Sequence, residues 1–231
     1  VVYGATGYTG RLVADYLNRQ YGVNGDINWA MAGRSQSKLE AVRDELGIAA
    51  DLPLIVADAA DAASVKSMVG RCSVVLTTVG PYQLYGNELV AACAAAGTDY
   101  VDLCGEPGWM SEMIGAHHET AKTSGARIVF SCGFDSIPFD LGVFFLQQVA
   151  TQTLGQKVAC VKGRVRGSKG GWSGGTLASF KATMAAAAKN PELINVLDNP
   201  FALTPGFIGA DQPPGTEPIY DNSIESWVAP F

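Results

Sequence analysis

Short apolar runs rich in β-branched residues alternate along the chain with longer stretches whose apolar positions recur every three or four residues, and no repeat of fixed period overlies that rhythm. The short runs predict strands at 1–3, 27–32, 54–57, 73–78, 100–103 and 127–131. Between them, RLVADYLNRQYG (11–22) puts Leu12, Val13, Tyr16 and Leu17 on one helical face, with Gly22 as its stop. SKLEAVRDELG (37–47) does the same with Leu39, Val42 and Leu46, opened by a serine cap and closed by Gly47, and NELVAACAAAG (87–97) ends at Gly97.

Strand, helix, strand in this order is the signature of parallel βαβ units joined by right-handed crossovers. The reading is therefore α/β: a Rossmann-type doubly wound parallel sheet over residues 1–150. After Val149 the rhythm changes. KVACVKGRVRG (157–167) alternates like a partly exposed strand, SKGGWSGG (168–175) is a glycine-rich loop, 176–189 has helical spacing, and a proline-rich stretch without clear periodicity follows. Residues 151–231 are expected to open an α+β domain for substrate or dimerisation, truncated here, because Val1 stands inside a strand already under way and SWVAPF stops in an apolar stretch.

Composition narrows the classes. With 48% hydrophobic and 16% charged residues the chain can bury a substantial core and does not read as disordered. A formal charge of −6 gives no basic face for nucleic acid, so no nucleic-acid partner is expected. Five cysteines, an odd number without a CxxC pair, suit reduced thiols in the cytoplasm. The longest apolar run, LGVFFLQQV (141–149), falls well short of the roughly 20 residues of a membrane span, which leaves peripheral membrane contact open. No metal is expected: His117 and His118 are adjacent, diverge by about 100° on a helix and have no evident third ligand. His117 reads as core-edge and His118 as surface.

The first ten residues, VVYGATGYTG, carry glycines at 4, 7 and 10, between the first strand and the first helix. A turn this tight needs positive φ or a missing Cβ, and a phosphate reaches a helix amino terminus only where no side chain covers the backbone. Gly4 and Gly7 suit those roles, and Gly10 lets helix and strand pack closely. An ordinary strand-to-helix turn competes, but the position at the first βα junction favours the phosphate. The second strand then selects the dinucleotide. It runs into GRSQSK without the acidic residue that accepts from a ribose 2′-OH. Arg34 offers a planar fork, Ser35 a hydroxyl and a helix-start amide, and Lys38 a point charge one turn on, which predicts NADP(H) over NAD(H); a solvated basic helix start is the rival. Asp58 is expected either to contact adenine or to cap the helix that begins near Asp61.

Taken together, GATGYTG, AGRSQSKL, TTVGPYQLYGNELVAACAAAGTDYVDLCGE and SCGFDSIPFDLG resemble the saccharopine dehydrogenase-like oxidoreductases, in particular the bacterial branch that includes trans-acting enoyl reductases. The resemblance covers residues 1 to about 142, with weaker support from SGGT (173–176). It implies an NADP-binding Rossmann domain followed by a substrate domain, with Gly4, Thr6, Gly7, Tyr8, Thr9 and Gly10 as the pyrophosphate loop and Arg34 at the 2′-phosphate. Members range from saccharopine reduction to enoyl reduction on lipid or polyketide chains, so the resemblance carries over no catalytic acid or base.

In an open parallel sheet the ligand lies beyond the carboxyl ends of the strands. Three loops qualify. VGPYQLYG (79–86) would set Val79, Gly80 and Pro81 along the nicotinamide and project Tyr82 towards substrate; CGEPGW (104–109) holds Glu106; SCGFDSIP (131–138) holds Cys132, Asp135 and Ser136. Hydride transfer to C=C or C=N also needs a proton, for which Tyr82, Glu106 and Asp135 are the candidates. Each has a competing role: Tyr82 stacking on cofactor, Glu106 pairing with a cation, Asp135 or Ser136 capping the helix that Pro138 starts. Cys132 admits a thiohemiacetal chemistry, against a buried thiol as the default. No Tyr-x-x-x-Lys couple is present, which argues against a short-chain dehydrogenase. The expected function is an NADP-dependent reductase of a small or lipid-like, acyl-type substrate. A non-catalytic NADP(H)-sensing regulator is the alternative, with FDLGVFFLQQV (139–149) as an association surface or as a core element of an enzyme homodimer. Trp172, in SKGGWSGGT, sits either on a flap over substrate or in a hairpin connection.

Overall fold

Val2 and Tyr3 form β1 (Val2–Tyr3), the strand at which the sheet reverses its winding. In the computed structural model, which describes residues 1–210 and 217–229, β1 is joined by β2 (Met31–Gly33), β3 (Leu54–Val56), β4 (Val74–Thr77), β5 (Asp99–Val101) and β6 (Ile128–Val129). All pairings are parallel, in the order β3-β2-β1-β4-β5-β6. Val2 lies opposite Met31 on one side and Leu76 on the other, so the crevice at the carboxyl ends opens between the turns that follow β1 and β4. All six expected strands form. The second starts late, at Met31, and the preceding Trp29 donates its indole N–H to the Gly22 carbonyl at 2.8 Å.

The helices are α1 (Tyr8–Tyr21), α2 (Gln36–Glu45), α3 (Ala62–Val69), α4 (Tyr82–Tyr85), α5 (Asn87–Ala96), α6 (Pro107–Ser124) and α7 (Ile137–Leu154). Because side chains alternate along a strand, β1 feeds both faces: Val2 packs with Ala14, Trp29, Met31, Leu39 and Val42 under α1 and α2, whereas Tyr3 packs with Val65, Met68, Leu89, Val90 and Trp109 under α3, α5 and α6. Gly22, Gly47 and Gly97 all take positive φ where the helices were expected to stop.

The face of α1 differs from the expectation. Leu12 and Tyr16 are 54% and 58% exposed, and the buried seam is Gly10 and Ala14, flanked by the half-buried Val13 and Leu17. A Cβ on Gly10 would lie 2.1 Å from the Gly4 carbonyl oxygen. The helix thus sits so close to the strand end that only small residues fit its seam, and the larger ones rotate outward.

Beyond α7 the chain runs extended, then forms α8 (Gly174–Lys189), α9 (Glu192–Asp198) and the antiparallel hairpin β7 (Ile219–Asp221)–β8 (Ser226–Val228). The strand expected over 157–167 is not formed, since no strand among the described residues lies beside it; at Val158 both backbone groups bond instead to the Gln147 side chain at 2.9 Å. Trp172 lies in the connection before α8, and its ring meets Phe180. The aperiodic proline-rich stretch includes α9 and leads into the hairpin, elements too short to show a period; residues 211–216 of it lie outside the described residues. Gln83 donates to Thr183 of α8 at 3.3 Å, and Leu193 of α9 crowds Gly108 of α6. Of the 18 residues of α7 only Ala150 is buried, and Leu141, Phe144 and Phe145 stand exposed. No helix among the described residues is long and apolar enough to cross a membrane.

The close approach at Gly10 gives a direct test. Gly10→Ala should destabilise the fold by about 1–3 kcal/mol or more, because its new methyl meets backbone that cannot yield. Gly7→Ala, at an exposed cap position, should cost under about 1 kcal/mol. Thermal denaturation of the two variants side by side should separate them by several degrees; equal midpoints would refute the account.

Candidate cofactor and active site

The first turn is closed by its own backbone. Gly4 and Ala5 donate to the Ala32 carbonyl at 2.9 and 3.2 Å, and the Gly7 amide returns to the Gly4 carbonyl at 2.9 Å. Gly4 has φ +89°, and a Cβ there would lie 2.7 Å from Thr78 Oγ1 and 2.9 Å from Val79 Cγ2. Its bareness lets this turn touch the loop after β4. Gly7 needs no special conformation, since its φ is −80°, contrary to the expectation that it shares that role. Its contribution is to bring no side chain: it is the N-cap of α1 and leaves that helix start without a side-chain cap. The helices after β2 and β3 differ, with Ser35 capping α2 and Asp61 capping α3. The first amides of α1, at Tyr8, Thr9 and Gly10, therefore keep the donors that an anion can take. Tyr8 is strongly exposed beside them, and Thr6 and Thr9 are half-buried.

At the end of β2, Arg34 is exposed and, among the described residues, enters no hydrogen bond or ion pair. Ser35 Oγ accepts from the Lys38 amide at 3.4 Å and lies 3.2 Å from Ser37 Oγ, so the helix starts earlier than expected and its serine cap is Ser35, two residues before the Ser37 that opens the expected stretch. Lys38 is exposed. Asp58 folds its own loop, accepting from the Ala60 amide at 3.0 Å, and leaves the α3 cap to Asp61. Beneath it the Tyr3 phenol is pushed up to about 12, mainly by burial and further by the Asp58 charge, with Arg34 opposing. Arg34, Asp58 and Tyr3 thus share one electrostatic neighbourhood at the edge of the crevice. A cradle that a Cβ would fill, an uncapped helix start and an unpaired guanidinium at the end of β2, a stretch that itself holds no carboxylate, fit a phosphorylated dinucleotide.

In the loop after β4 the Val79 amide donates to Thr77 Oγ1 at 3.2 Å, and the chain continues through Gly80 to the buried Pro81, across a cis bond. Tyr82 does not project into the crevice as expected. It is buried, its ring centroid 5.6 Å from that of Trp109; its hydroxyl donates to the Thr77 carbonyl at 3.3 Å and accepts from the Leu103 amide at 3.4 Å. Burial raises this phenol well above its ordinary range. Glu106 is almost fully buried and, among the described residues, has no cationic partner, contrary to the pairing weighed for it. Oε1 accepts from the Tyr82 amide, and Oε2 from the Gln83 amide and side chain, each at 2.9 Å. This carboxylate caps α4 and fixes the loop that holds Val79 to Pro81.

A second buried carboxylate, Asp102, escaped the reading of the sequence. Oδ1 accepts from the amides of Cys104 (2.9 Å) and Ser131 (2.7 Å), and Oδ2 from the Tyr100 hydroxyl (2.7 Å). Burial raises its carboxyl pKa, with the donated hydrogen bonds pulling the other way. The available signal was an acidic residue inside the apolar run expected to form a strand over 100–103. Cys132 lies near, its amide on the Asp102 carbonyl at 2.6 Å; burial raises its thiol, the reverse of what a thiolate nucleophile requires. Asp135 is exposed, and Ser136, at the start of α7, makes no side-chain cap bond, so the expected cap is absent. Of the three proton-donor candidates, Asp135 alone reaches solvent. His117 is half-buried and His118 exposed, and no group of three metal-ligating side chains occurs among the described residues.

Residues 1–129 match the family model described as the saccharopine dehydrogenase NADP binding domain. The chain is 46% identical over 206 residues to a trans-acting enoyl reductase of Mycobacterium ulcerans, covering 88% of this chain and 49% of that one. It is 40% identical over 232 aligned positions to a trans-acting enoyl reductase of Mycobacterium leprae, covering 100% of this chain and 54% of that one. The chain thus spans about half the length of the curated relatives it matches. Among solved structures, saccharopine dehydrogenase (L-Glu forming) of Saccharomyces cerevisiae superposes with a TM-score of 0.50 at 17% identity, over 67% of this chain and 31% of that one, a likeness of fold.

Glu106→Gln tests the capping role. The amide replaces one acceptor oxygen with a donor that faces other donors, and should lower stability by about 2–3 kcal/mol. A melting temperature within a degree of the parent would overturn it.

Proposed function

The chain belongs to the saccharopine dehydrogenase NADP-binding domain family, and on that premise we propose that it serves an NADPH-dependent reductase acting on the C=C bond of an enoyl, acyl-type substrate. The observation that carries this reading is the uncapped start of α1, set against a glycine turn too tight for any Cβ and flanked by the unpaired Arg34. The relatives' name favours a C=C bond over C=N.

NADPH, when bound, supplies a hydride, leaving as NADP⁺, and a proton added to the second carbon of the double bond completes the saturated product. The chain's own residues would divide the remaining work. Amides of residues 8–10, freed by Gly7, hold the diphosphate, while Thr6 and Tyr8 flank it. Arg34 takes the 2′-phosphate, with Lys38 adding charge and Ser35 setting the helix start. Asp58 lies beside the adenosine end, and Val79, Gly80 and Pro81 wall the nicotinamide side. Asp135, the accessible carboxyl of the three post-strand loops, would pass the proton; Tyr82 and Glu106 hold the wall in place. Residues 151–231 would begin the part that faces substrate, and the five free cysteines support a cytoplasmic location.

Arg34→Ala should weaken NADPH binding by about tenfold or more and leave NADH binding unchanged, as measured by fluorescence titration. Equal affinity for both dinucleotides, indifferent to the substitution, would defeat the cofactor assignment. Asp135→Asn should cut kcat on an enoyl acceptor by about a hundredfold, with NADPH affinity retained. A loss of only a fewfold would move the proton donor elsewhere. If the full-length protein binds NADPH tightly but consumes none across a panel of enoyl and imine acceptors, the protein is a nucleotide sensor.

A further inference from the structure

Asp102 is a buried carboxylate with no cationic partner among the described residues, at the carboxyl end of the central sheet, and its oxygens reach the core strand β5 and the loops after β5 and β6. Tyr100, two residues earlier on β5, holds Oδ2 from within the core. Oδ1 takes the Cys104 amide of the loop after β5 and the Ser131 amide of the loop after β6. The Asp102 carbonyl takes the Cys132 amide at 2.6 Å. Ser131 itself has φ +59°, a left-handed conformation that a residue with a Cβ adopts only when its surroundings compel it. What compels it is on both sides: its amide on Asp102, and its hydroxyl donated to the Cys104 carbonyl at 2.7 Å. At this left-handed turn the chain leaves β6 and passes through Gly133 and Phe134 to Asp135. For stability alone a buried carboxylate held by hydrogen bonds and no cation gains little over an apolar residue of its size.

We propose that Asp102 is a positioning residue of the reductase: by joining the loop after β5 to the left-handed turn at Ser131, it presets the wall of the crevice that carries Asp135. The inference rests on the reductase reading given above. Asp102 is not catalytic, since it is buried and its two oxygens are spent on Tyr100, Cys104 and Ser131. Its neighbour Glu106 performs the matching task for the loop after β4, so the three loops beyond β4, β5 and β6 are each held by a carboxylate set in amide donors.

The test uses the full-length protein and two variants of the same network. Asp102→Ala removes both oxygens, so the Cys104 and Ser131 amides lose their acceptor, whereas Tyr100→Phe removes the one partner that belongs to neither loop. Asp102→Ala should lower kcat by about 10- to 100-fold while the Kd for NADPH stays within about threefold, because misplacement acts on the reacting geometry and not on the diphosphate grip. Hydrogen exchange at residues 103–105 and 131–135 should quicken in the same variant, with residues 4–10 unchanged. Tyr100→Phe should keep kcat within about threefold. The proposal is overturned if Asp102→Ala retains the parent's kcat, if Tyr100→Phe loses as much activity, or if exchange at the two loops does not change. A parent that binds NADPH and reduces no acceptor would sink the reductase reading separately, and the exchange measurement would still decide whether Asp102 holds the loops.

Discussion

The architecture of the crevice depends on one steric constraint, the backbone-to-backbone approach at the first turn. A Cβ on Gly10 would fall 2.1 Å from the Gly4 carbonyl oxygen, and one on Gly4 would fall 2.7 Å from Thr78 Oγ1. These two absences bring the amino end of α1 onto the end of β1 and bring that turn against the loop after β4. The uncapped amides then open onto the crevice at the switch in strand order, where a parallel sheet gathers the ends of its strands. The same approach explains why α1 seats Gly10 and Ala14 inward and leaves Leu12 and Tyr16 to solvent.

Opposite that turn, the crevice wall is organised by acidic residues in an unusual setting. Asp102 and Glu106 are both buried, and among the described residues neither has a cationic partner; both are surrounded by amide and hydroxyl donors instead. A carboxylate in such a place accepts several hydrogen bonds at fixed positions, which a small neutral side chain cannot do. It therefore fixes loop backbone that has no ladder of its own. The two ends of the crevice are thus built on opposite logic, with donors left free on one side and saturated on the other.

The carboxyl-terminal third has a different character. The side chains of α7 are largely exposed, α8 buries none, and the extended segment after α7 is anchored by Gln147 and by the Arg164–Asp221 pair at 2.6 Å in place of a strand ladder. Gln83 nevertheless ties α8 to the loop held by Glu106, giving this region a direct link to the crevice.

The sequence alone determined the alternation of strands and helices, the glycine stops, the position of the glycine turn after β1 and the lack of a carboxylate at the end of β2. Each of these is local, set by a side-chain period or by the conformational freedom of a few residues. Only the tertiary structure decided which of the site candidates face solvent. Tyr82, Glu106 and Asp135 look alike in a linear reading, as polar residues in loops after strands, yet burial and hydrogen bonding put the first two inside the wall and leave the third outside. Asp102 was illegible for the same reason: its three donors come from residues 100, 104 and 131, and the long-range one exists only once β5 and β6 lie side by side. The strand expected over 157–167 makes the converse point. Its alternating pattern encodes a face, but a strand also needs a neighbour's backbone, which no segment's own sequence supplies.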